Sequence, residues 1–521
     1  LGKEEPEDYN TPEFDAAKAS RLASMMELNV FTPVNPSKNI RPIPGKWVLS
    51  RRTTGEAKAR YVAKGYLQDA KHIQDNYSPV IAIPSIKLMI SLSLEDKALQ
   101  LIHVDISTAY LYAQRKDDDH QVYLYPPSDI AKFYPEHEGK VYRVNAALDG
   151  LIESAMLWYR TLIEYLEAEG FVATNSDHCV LKRGEDIIGI YVDDLLILSR
   201  SPIKVIETLK KRFKIKVLGT PKKLLGVTFE YLQDGIALGQ EEYIEELLKK
   251  LNLQDIKTNN YGPISSEAYG LKISKDEDQT KYPYRQAIGS LLFLARSTRP
   301  DICFPTVLMS SFSSGYNDNH WKQVVKILKY LKRTKGQKLI FKRYNNYGLQ
   351  AYSDSDYASE ELTRHSYSGY MVLHNGNLIG WNATRQKTIA LSTAEAETYA
   401  VYKCMKEAIY LNRLLTEMRG QPFENTPTDE QQVQVMDIYI DNTQVSSAIK
   451  EGAKARTKHY DVYWKMFKDM SNIYRVKDID TNENISDMLT KILTLPRIEY
   501  IQSMIHQSTL AKDEVNKDLQ K

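Results

Sequence analysis

Two adjacent carboxylates, Asp193 and Asp194, are the side chains in this sequence most clearly suited to chemistry. They interrupt an apolar run, with residues 187–190 before them and residues 195–198 after them, which predicts two buried strands joined by a tight turn. Two negative charges at the tip of a buried hairpin are costly unless cations neutralise them. An Asp-Asp pair can also simply form a turn, but the apolar flanks and the preceding Tyr191 favour a site for divalent metal ions. Paired metals serve nucleotidyl transfer, because they stabilise both the attacking and the leaving oxygen.

A second strand supplies the carboxylate that a two-metal site needs opposite this hairpin. Asp105 ends the apolar stretch 99–104, and small residues follow at 107–109. The backbone N–H groups of such small residues can receive a triphosphate. A lone aspartate here would be expected to cap a helix. Beside the Asp-Asp turn, Asp105 is predicted to be the third ligand of the metal site.

Four further acids near the C-terminus form a second candidate metal site. Asp354 follows the predicted strand 349–353, and Asp441 ends the predicted strand 436–440. Asp487 lies in a late loop or at a helix start. Each acid alone would be a surface residue or a cap. Carboxylates from two strand ends, a helix and a late loop, taken together, can bind two magnesium ions.

The fourth acid, Glu397, lies on a predicted helix that begins at Ser392. Glu395 stands three residues after Ser392, which is the spacing of a capping box, so Glu395 has a structural role and Glu397 is left to face inward. Upstream, Asn375-Gly376 is the strongest short signal for a hairpin turn. This part of the chain is therefore predicted to alternate strands and helices around the acids.

Composition limits the classes of protein to which the chain can belong. Its 521 residues suffice for several domains, and 42% hydrophobic with 26% charged residues are typical of a globular protein. The net charge of +2 gives no global signature of nucleic-acid binding, so any such surface must be local. Cys179, Cys303 and Cys404 are far apart, which argues against a disulfide framework or a zinc site and for a reducing compartment. No apolar run approaches the ~20 residues of a membrane span.

One local basic surface is visible on a predicted helix in the third quarter of the chain. Four cations recur at steps of four, three and four residues, which places them on one helical face: Lys322, Lys326, Lys329 and Arg333. Apolar residues occupy another face of the same helix. Such a stripe could follow the phosphates of a nucleic acid, or it could be an ordinary solvated face. The sequence favours neither.

These motifs, in this order and spacing, resemble the reverse transcriptase and ribonuclease H portion of copia-type long-terminal-repeat retrotransposons. Besides the acids, the resemblance is carried by the stretches 46–48 (KWV), 58–66 (KARYVAKGY), 77–80 (YSPV), 225–227 (LGV), 288–292 (IGSLL), 298–302 (TRPDI), 366–370 (SYSGY) and 456–461 (RTKHYD). Within the last stretch, His459 is expected to be structural or to contact the nucleic acid. The resemblance covers roughly residues 39–491.

The resemblance implies an α/β multidomain fold: a right-hand polymerase with fingers, palm and helical thumb, followed by a ribonuclease H-like α/β domain. The expected divisions are a loosely packed lead-in at 1–36, fingers and palm at 37–235, a thumb at 236–345, the nuclease at 346–505 and a charged, fraying tail at 506–521.

The resemblance also implies roles for individual residues. Two Mg²⁺ ions, for which Mn²⁺ can substitute, would be held in each site by the acids, which are Asp105, Asp193 and Asp194 in the palm and Asp354, Glu397, Asp441 and Asp487 in the nuclease. Tyr110 falls where an aromatic ring packs under the sugar and excludes a 2′-hydroxyl. The other residues expected at the incoming nucleotide are Lys58, Arg60, Thr108, Ala109 and Gly150.

One segment departs from the family pattern. Where the family shows LYGLKQ, residues 148–153 read LDGLIE, so that Asp149, Ile152 and Glu153 replace an aromatic residue, a lysine and a glutamine. Added carboxylates repel a bound triphosphate by about 1 kcal/mol or more per pair at a few ångströms. The segment leaves open whether the chain is active or is a decayed copy.

The resulting prediction is an enzyme that copies retrotransposon RNA into DNA and degrades the RNA of the RNA–DNA hybrid. The alternatives are a domesticated or decayed copy that binds nucleic acid without polymerising, and a chain in which only the nuclease works. Expected partners are an RNA template, a DNA primer, the hybrid and deoxynucleoside triphosphates (dNTPs), with integrase and capsid parts of the same precursor. The resemblance implies a cytoplasmic location within virus-like particles, later nuclear entry of the product complex, and no membrane association.

Overall fold

The structure is a computed structural model, and it describes residues 9–51, 55–69, 71, 76–116, 121–275, 277–343, 348–359, 363–421, 435–451 and 461–510. His459, with the rest of the predicted stretch 456–460, lies outside the described residues. In the part of the chain that is described, no helix is both long enough and apolar enough to cross a bilayer.

The N-terminal part forms fingers from one helix and two small β-sheets. The elements up to residue 144 are α1 (Pro12–Glu27), β1 (Phe31–Val34), β2 (Gly45–Arg51), β3 (Ala57–Ala63), α2 (Ile83–Ser93), β4 (Gln100–Ile106), β5 (Val122–Leu124) and β6 (Val141–Val144). Of these, α2 and β4 belong to the palm. β2 pairs with β3, and β1, β6 and β5 form a sheet in that order. Helix α1 buries Phe14, Leu22 and Met25 and packs against β3. The expectation of a loosely packed lead-in at 1–36 is therefore wrong for its described part.

A six-stranded antiparallel sheet forms the palm. Its further elements are α3 (Ser154–Ala168), β7 (Val172–Ala173), β8 (Val180–Arg183), β9 (Asp186–Tyr191), β10 (Asp194–Ser199), α4 (Pro202–Lys210) and β11 (Ile215–Gly219). The strand order is β11-β4-β10-β9-β8-β7. β9 and β10 are buried along most of their length and are joined by a two-residue turn. This confirms the hairpin predicted from the apolar runs.

The thumb combines helices with a sheet of its own. Its elements are β12 (Lys223–Leu224), β13 (Val227–Leu232), β14 (Gly235–Gly239), α5 (Glu241–Lys250), α6 (Tyr284–Ser297), α7 (Cys303–Ser310), α8 (Asp318–Arg333) and β15 (Gln337–Lys342). The strand order in this sheet is β12-β13-β14-β15, followed by β21 (Gln507–Thr509) from the end of the described chain. β13 and β14 form a hairpin, so the predicted boundary between residues 235 and 236 divides one β-unit. On α8 the apolar residues Val324, Ile327, Leu328 and Leu331 are buried, as the helical periodicity predicts.

The C-terminal part is a five-stranded mixed sheet with a long helix. Its elements are β16 (Leu349–Asp356), β17 (Tyr367–His374), β18 (Asn377–Arg385), α9 (Thr393–Met418), β19 (Met436–Ile440), α10 (Thr443–Glu451), α11 (Asp461–Asp469), β20 (Tyr474–Asp478), α12 (Leu495–Met504) and β21 (Gln507–Thr509). The order is β18-β17-β16-β19-β20, and β16, β19 and β20 run parallel. Asn375 and Gly376 form the β17–β18 turn with φ of 49° and 76°, as predicted. β21 pairs with β15 of the thumb, so the predicted fraying tail is wrong through Thr509.

The palm and the C-terminal domain, for which we keep the name of the expected nuclease, pack directly against each other through α2. The Lys87 ammonium lies 3.3 Å from the centre of the Trp381 ring, and its burial lowers the pKa of Lys87 well below the ordinary value. Trp381 in turn donates Nε1–H to the Ala295 carbonyl of the thumb at 2.7 Å. Ser91 Oγ lies 2.8 Å from Nδ1 of His374. These buried contacts join palm, thumb and nuclease, so both acid clusters are carried on one packed body.

Candidate active sites

Asp105, Asp193 and Asp194 lie near one another at one end of the palm sheet. Asp105 stands opposite Asp194 on β10 and opposite Lys216 on β11, and residues opposite each other in antiparallel strands share a face of the sheet. Asp193 lies in the β9–β10 turn. Asp105 and Asp193 line the same cavity of about 840 Å³, together with Lys216. The fold therefore brings together two acids that lie far apart in the sequence.

The turn that carries Asp193 is strained and is held from two sides. Val192 adopts a φ of +56°, a left-handed conformation that is costly for a β-branched residue. The buried Trp158 donates Nε1–H to the Val192 carbonyl at 2.7 Å. The Ile106 amide donates to the Asp193 carbonyl at 2.9 Å. These two hydrogen bonds fix the turn against α3 and β4, and so fix the position from which the Asp193 carboxylate projects.

The palm carboxylates are partly removed from water and repel one another. Burial raises the pKa of Asp105, and the neighbouring Asp194 raises it further. Burial also raises the pKa of Asp193; Asp194 and Asp105 add to this, whereas Arg60 opposes it. A divalent cation relieves both the repulsion and the cost of burial. Oxygen donors of this kind are the ligands that magnesium prefers, so the residues present fit the predicted metal.

Asp194 is engaged by a residue that the sequence analysis missed. Its Oδ1 lies 2.7 Å from Nε2 of His103, which is buried on β4. Among the described residues, Asp194 does not line the cavity that Asp105 and Asp193 share. His103 precedes Asp105 by two residues, the spacing that places both side chains on one face of a strand, and this signal could have identified it. Direct metal ligation by Asp194 stays a prediction.

Five of the residues expected at the nucleotide line the same cavity. Lys58 and Arg60 are two residues apart on β3, and they enter the cavity from the fingers. Thr108, Ala109 and Tyr110 line it from the segment that follows β4. The cavity thus combines these cations with the carboxylates of Asp105 and Asp193, and both kinds of charge are needed to hold a metal-bound triphosphate.

Gly150 has a packing role in the structure, and its expected contact with the nucleotide stays a prediction. Its φ is +95°, and a Cβ at this position would clash with the carbonyl oxygen of Ala63. The Ala63 amide donates to the Asp149 carbonyl at 2.8 Å. A glycine is therefore required for the segment 148–153 to approach the backbone of β3. In the described structure Gly150 is not among the residues that line the cavity.

The unusual carboxylates of that segment are neutralised within the chain. Asp149 Oδ2 accepts a hydrogen bond from Nη2 of Arg21 at 2.6 Å. Glu153 is buried, forms an ion pair with Arg115 and accepts from Nε2 of Gln68 at 2.7 Å. Paired carboxylates repel a triphosphate much less than isolated ones do. The departure from the family pattern is therefore compensated by arginines from α1 and from the loop after β4.

Three of the four nuclease acids meet within ligating distance. β16 and β19 are parallel neighbours, so Asp354 and Asp441 lie at the same edge of the sheet. Asp487 reaches them from a short 3-10 helix, Ile485–Leu489, that precedes α12. Each offers a carboxylate oxygen, and these oxygens lie within 4.8 Å of one another. In the described ranges, this is the only set of three or more His, Cys, Asp or Glu side chains with that property.

Glu397 adds the fourth acid from α9. Ser392 Oγ accepts from the Glu395 amide at 3.2 Å, as predicted, which leaves Glu397 to face the other acids. Burial raises the pKa of Glu397 well above its ordinary value, and Asp354 and Asp441 raise it further. Its Oε2 is buried without a hydrogen-bond partner among the described residues. A buried carboxylate oxygen that lacks a donor fits the role of a metal ligand.

Two cations that the sequence analysis missed contact the nuclease acids. Lys491 Nζ lies 2.6 Å from Asp487 Oδ1 and 3.3 Å from Asp354 Oδ1. Arg497 Nη2 lies 2.9 Å from the other oxygen of Asp487. Burial raises the pKa of Asp354 to about 7, although Lys491 opposes this shift. The spacing of four residues between Asp487 and Lys491 was the available signal.

Comparison with known proteins identifies the family. Residues 28–265 match the family model described as reverse transcriptase (RNA-dependent DNA polymerase). The chain is 31% identical over 518 residues to the retrovirus-related Pol polyprotein from transposon TNT 1-94 of Nicotiana tabacum, an alignment that covers 94% of this chain and 37% of that protein. These matches support a copia-type retrotransposon Pol region.

Two further comparisons extend this result. The Pol polyprotein from transposon RE1 of Arabidopsis thaliana is 30% identical over 488 residues, covering 90% of this chain and 32% of that protein. This Pol region thus spans about a third of the length of these curated relatives. A foamy viral protease-reverse transcriptase solved in complex with double-stranded DNA has a TM-score of 0.51 at 14% identity, covering 90% of this chain and 70% of that one. The likeness confirms the predicted fold class.

The basic stripe of this Pol region makes hydrogen bonds within its own chain at three of its four positions, and the first of these joins Lys322 Nζ to Asn319 Oδ1 at 3.3 Å. Lys326 Nζ donates to Ser265 Oγ at 2.7 Å, and Arg333 Nη1 donates to Asn260 Oδ1 at 3.0 Å. Both side chains hold the segment before α6 against α8. Contact of the stripe with nucleic acid stays a prediction.

Proposed function

We propose that this Pol region is a reverse transcriptase that extends a DNA primer along an RNA or DNA template, and that its C-terminal domain degrades the RNA of the hybrid. One observation carries the proposal. Asp105 and Asp193 of the palm and Lys58 and Arg60 of the fingers line a single cavity. Such a cavity can take a triphosphate with its metals, because the metals neutralise the acids while the cations neutralise the phosphates.

In the polymerase site each side chain has a separate task. Asp105 and Asp193 would hold the Mg²⁺ ions, which when bound stabilise the attacking and leaving oxygens. Lys58 and Arg60 bind the phosphates of the incoming dNTP. Tyr110 packs under the sugar, where a ribose 2′-hydroxyl would meet its ring. Because positioning dominates this kind of reaction, the two hydrogen bonds that fix the Asp193 turn contribute directly to the rate.

In the nuclease site, Asp354, Glu397, Asp441 and Asp487 would hold Mg²⁺, for which Mn²⁺ can substitute. When bound, the ions would supply activation of a water molecule at neutral pH and neutralisation of charge at the RNA phosphate. The acids bind and orient them at the end of β16. The hybrid would be held through its phosphates and its wide minor groove and not by its base sequence.

Paired assays separate this function from its alternatives. We expect the native chain to extend a DNA primer on an RNA template with Mg²⁺ and to cleave a labelled RNA–DNA hybrid. Asp193→Asn should abolish extension and leave cleavage intact, and Asp354→Asn should do the reverse, so each variant is the folding control for the other. Cleavage without extension by the native chain would support the nuclease-only alternative. Tight hybrid binding without either reaction would support the decayed copy.

We further propose that the region works beside integrase and capsid parts of one precursor, in cytoplasmic particles from which the product complex enters the nucleus. Similarity to the retrotransposon Pol polyproteins supports this placement. Polymerase activity from expressing cells should then sediment with particles that also contain capsid protein. Activity that sediments as a single free chain, or with membranes, would contradict it.

A further inference from the structure

Helix α1 forms one wall of the cavity that we assign to the nucleotide. Ala17, Ser20, Arg21 and Ser24 line the cavity, and their spacing of three and four residues defines one helical face. Another face of α1 is fixed to the fingers: it buries Phe14, Leu22 and Met25. The helix is therefore anchored, and it presents a single cation, Arg21, to the space that Lys58 and Arg60 also line.

Arg21 is held at this wall, but only some of its N–H donors have a hydrogen-bond partner there. Its side chain is 10% exposed, and Nη2 donates to Asp149 Oδ2 at 2.6 Å. Its Nε is buried without a hydrogen-bond partner in the described structure. Burial lowers the pKa of Arg21; Asp149 opposes this, and the nearby Arg60 adds to it. A buried guanidinium with a spare donor beside a second cation is costly unless a further anion reaches it.

We propose that Arg21 is a third binding residue for the phosphates of the incoming dNTP, and that Asp149 is the positioning residue that orients it. This inference rests on the proposed polymerase function. A guanidinium offers donors in a planar fork that matches two phosphate oxygens. The Asp149 contact occupies one Nη atom and restricts the side chain to the cavity wall. The carboxylate that departs from the family pattern thereby orients a cation toward the triphosphate, and N-terminal helix α1 becomes part of the polymerase site.

The test measures single-nucleotide incorporation on an RNA template as a function of dNTP concentration. Arg21→Ala should raise the KM for dNTP by about tenfold, the effect of losing a hydrogen bond to a charged group, with little change in kcat. Arg21→Lys should recover part of this loss. Asp149→Asn should raise KM by a smaller factor. The double variant should be no worse than Arg21→Ala, because the orienting contact of Asp149, which itself lines the cavity, requires Arg21.

A matched control lies on the same helix. Lys18 donates to Asp129 at 2.8 Å and is not among the residues that line the cavity in the described structure. Lys18→Ala removes an ion pair that anchors α1 but leaves the cavity unchanged. We therefore expect its KM for dNTP to equal that of the native chain. An equal rise in KM for Lys18→Ala and Arg21→Ala would overturn the inference, because α1 would then matter only as support.

A binding measurement separates failure of this inference from failure of the proposed function. With a dideoxy-terminated primer, retention of the primer–template complex that depends on the next correct dNTP reports nucleotide binding without chemistry. The inference predicts that the native chain retains the primer–template, and that Arg21→Ala needs an about tenfold higher dNTP concentration for the same retention. Native retention that Arg21→Ala leaves unchanged overturns this inference alone. No dNTP-dependent retention by the native chain overturns both.

Discussion

The thumb contains a buried ion pair whose removal should destabilise the chain severely. Arg299 donates Nε–H to Asp301 Oδ1 at 3.0 Å and Nη2–H to Oδ2 at 2.7 Å, and the side chains are 1% and 0% exposed. Asp301 also accepts hydrogen bonds from Tyr330, Gln502 and Gln507. The two glutamines lie on α12 and β21, beyond the nuclease acids. One carboxylate therefore ties the thumb to the end of the described chain.

Asp301→Asn keeps the shape of the side chain and removes its charge. Arg299 then remains buried without an anion, and the NH2 group that replaces one carboxylate oxygen faces donors and cannot accept from them. Breaking a buried ion pair in this way costs about 3–5 kcal/mol. We expect a loss of this size in the free energy of unfolding for the transition that includes the thumb, measured by urea titration of the whole chain. Glu242→Gln, which breaks the exposed pair with Lys223, is the control and should have almost no effect.

The pH dependence of this loss follows from the sign of the Asp301 pKa shift. Burial raises the pKa of Asp301, but the charge and hydrogen bonds of Arg299 outweigh burial and bring the pKa below the ordinary value. A carboxyl with a lowered folded pKa stabilises the protein above its unfolded pKa and loses that contribution as the pH falls through the folded value. The difference between native and Asp301→Asn chains should therefore be constant from pH 5 to pH 8. A loss below about 1 kcal/mol, or one that changes across that range, would refute the reasoning.

Three further predictions concern the sites. Burial raises the pKa of Asp354 to about 7, so the metal-free chain is stabilised by this proton at low pH and loses that stabilisation as the pH rises toward 7. Calorimetry should show that Mg²⁺ binding at the nuclease releases protons and tightens from pH 6 to pH 8. Binding that does not depend on pH would contradict this. Lys491→Met should tighten Mn²⁺ binding by about tenfold or more, because the ion no longer competes with an ammonium for Asp354 and Asp487; unchanged affinity in a titration would argue against that competition. Gly150→Ala should cost about 1–3 kcal/mol of unfolding free energy and reduce primer extension, whereas Gly139→Ala, at a positive φ with open space around it, should cost less; equal losses would exclude the clash as the cause.

The residues that carry chemistry could be predicted from the sequence where local pattern determines structure. The apolar runs around Asp193 predicted the β9–β10 hairpin, because strand pairing and burial follow from continuous apolar stretches. The Asn375-Gly376 turn was predictable because few residues adopt the positive φ values that it needs. Ser392 identified the start of α9 and thereby the inward direction of Glu397.

The partners of these residues could not be predicted, because they come from remote parts of the chain. Arg21 and Asp149 are separated by 128 positions, and no local periodicity connects them. Helix α1 was expected to be loose because its sequence is mostly polar; its burial depends on the sheet that packs against it. The carboxylates of residues 149–153 therefore suggested repulsion, since the arginines that neutralise them become visible only in the fold.

The central claim is that Asp105 and Asp193 share a metal ion in the polymerase site. Crystals of the complex with primer–template, a non-reactive dNTP analogue and Mn²⁺ would test it through the anomalous signal of manganese. We predict an ion ligated directly by both carboxylates and facing the triphosphate, and loss of that ion in Asp193→Asn. Manganese bound by only one of the two acids, or an Asp193 side chain that points away from the ion, would contradict the account.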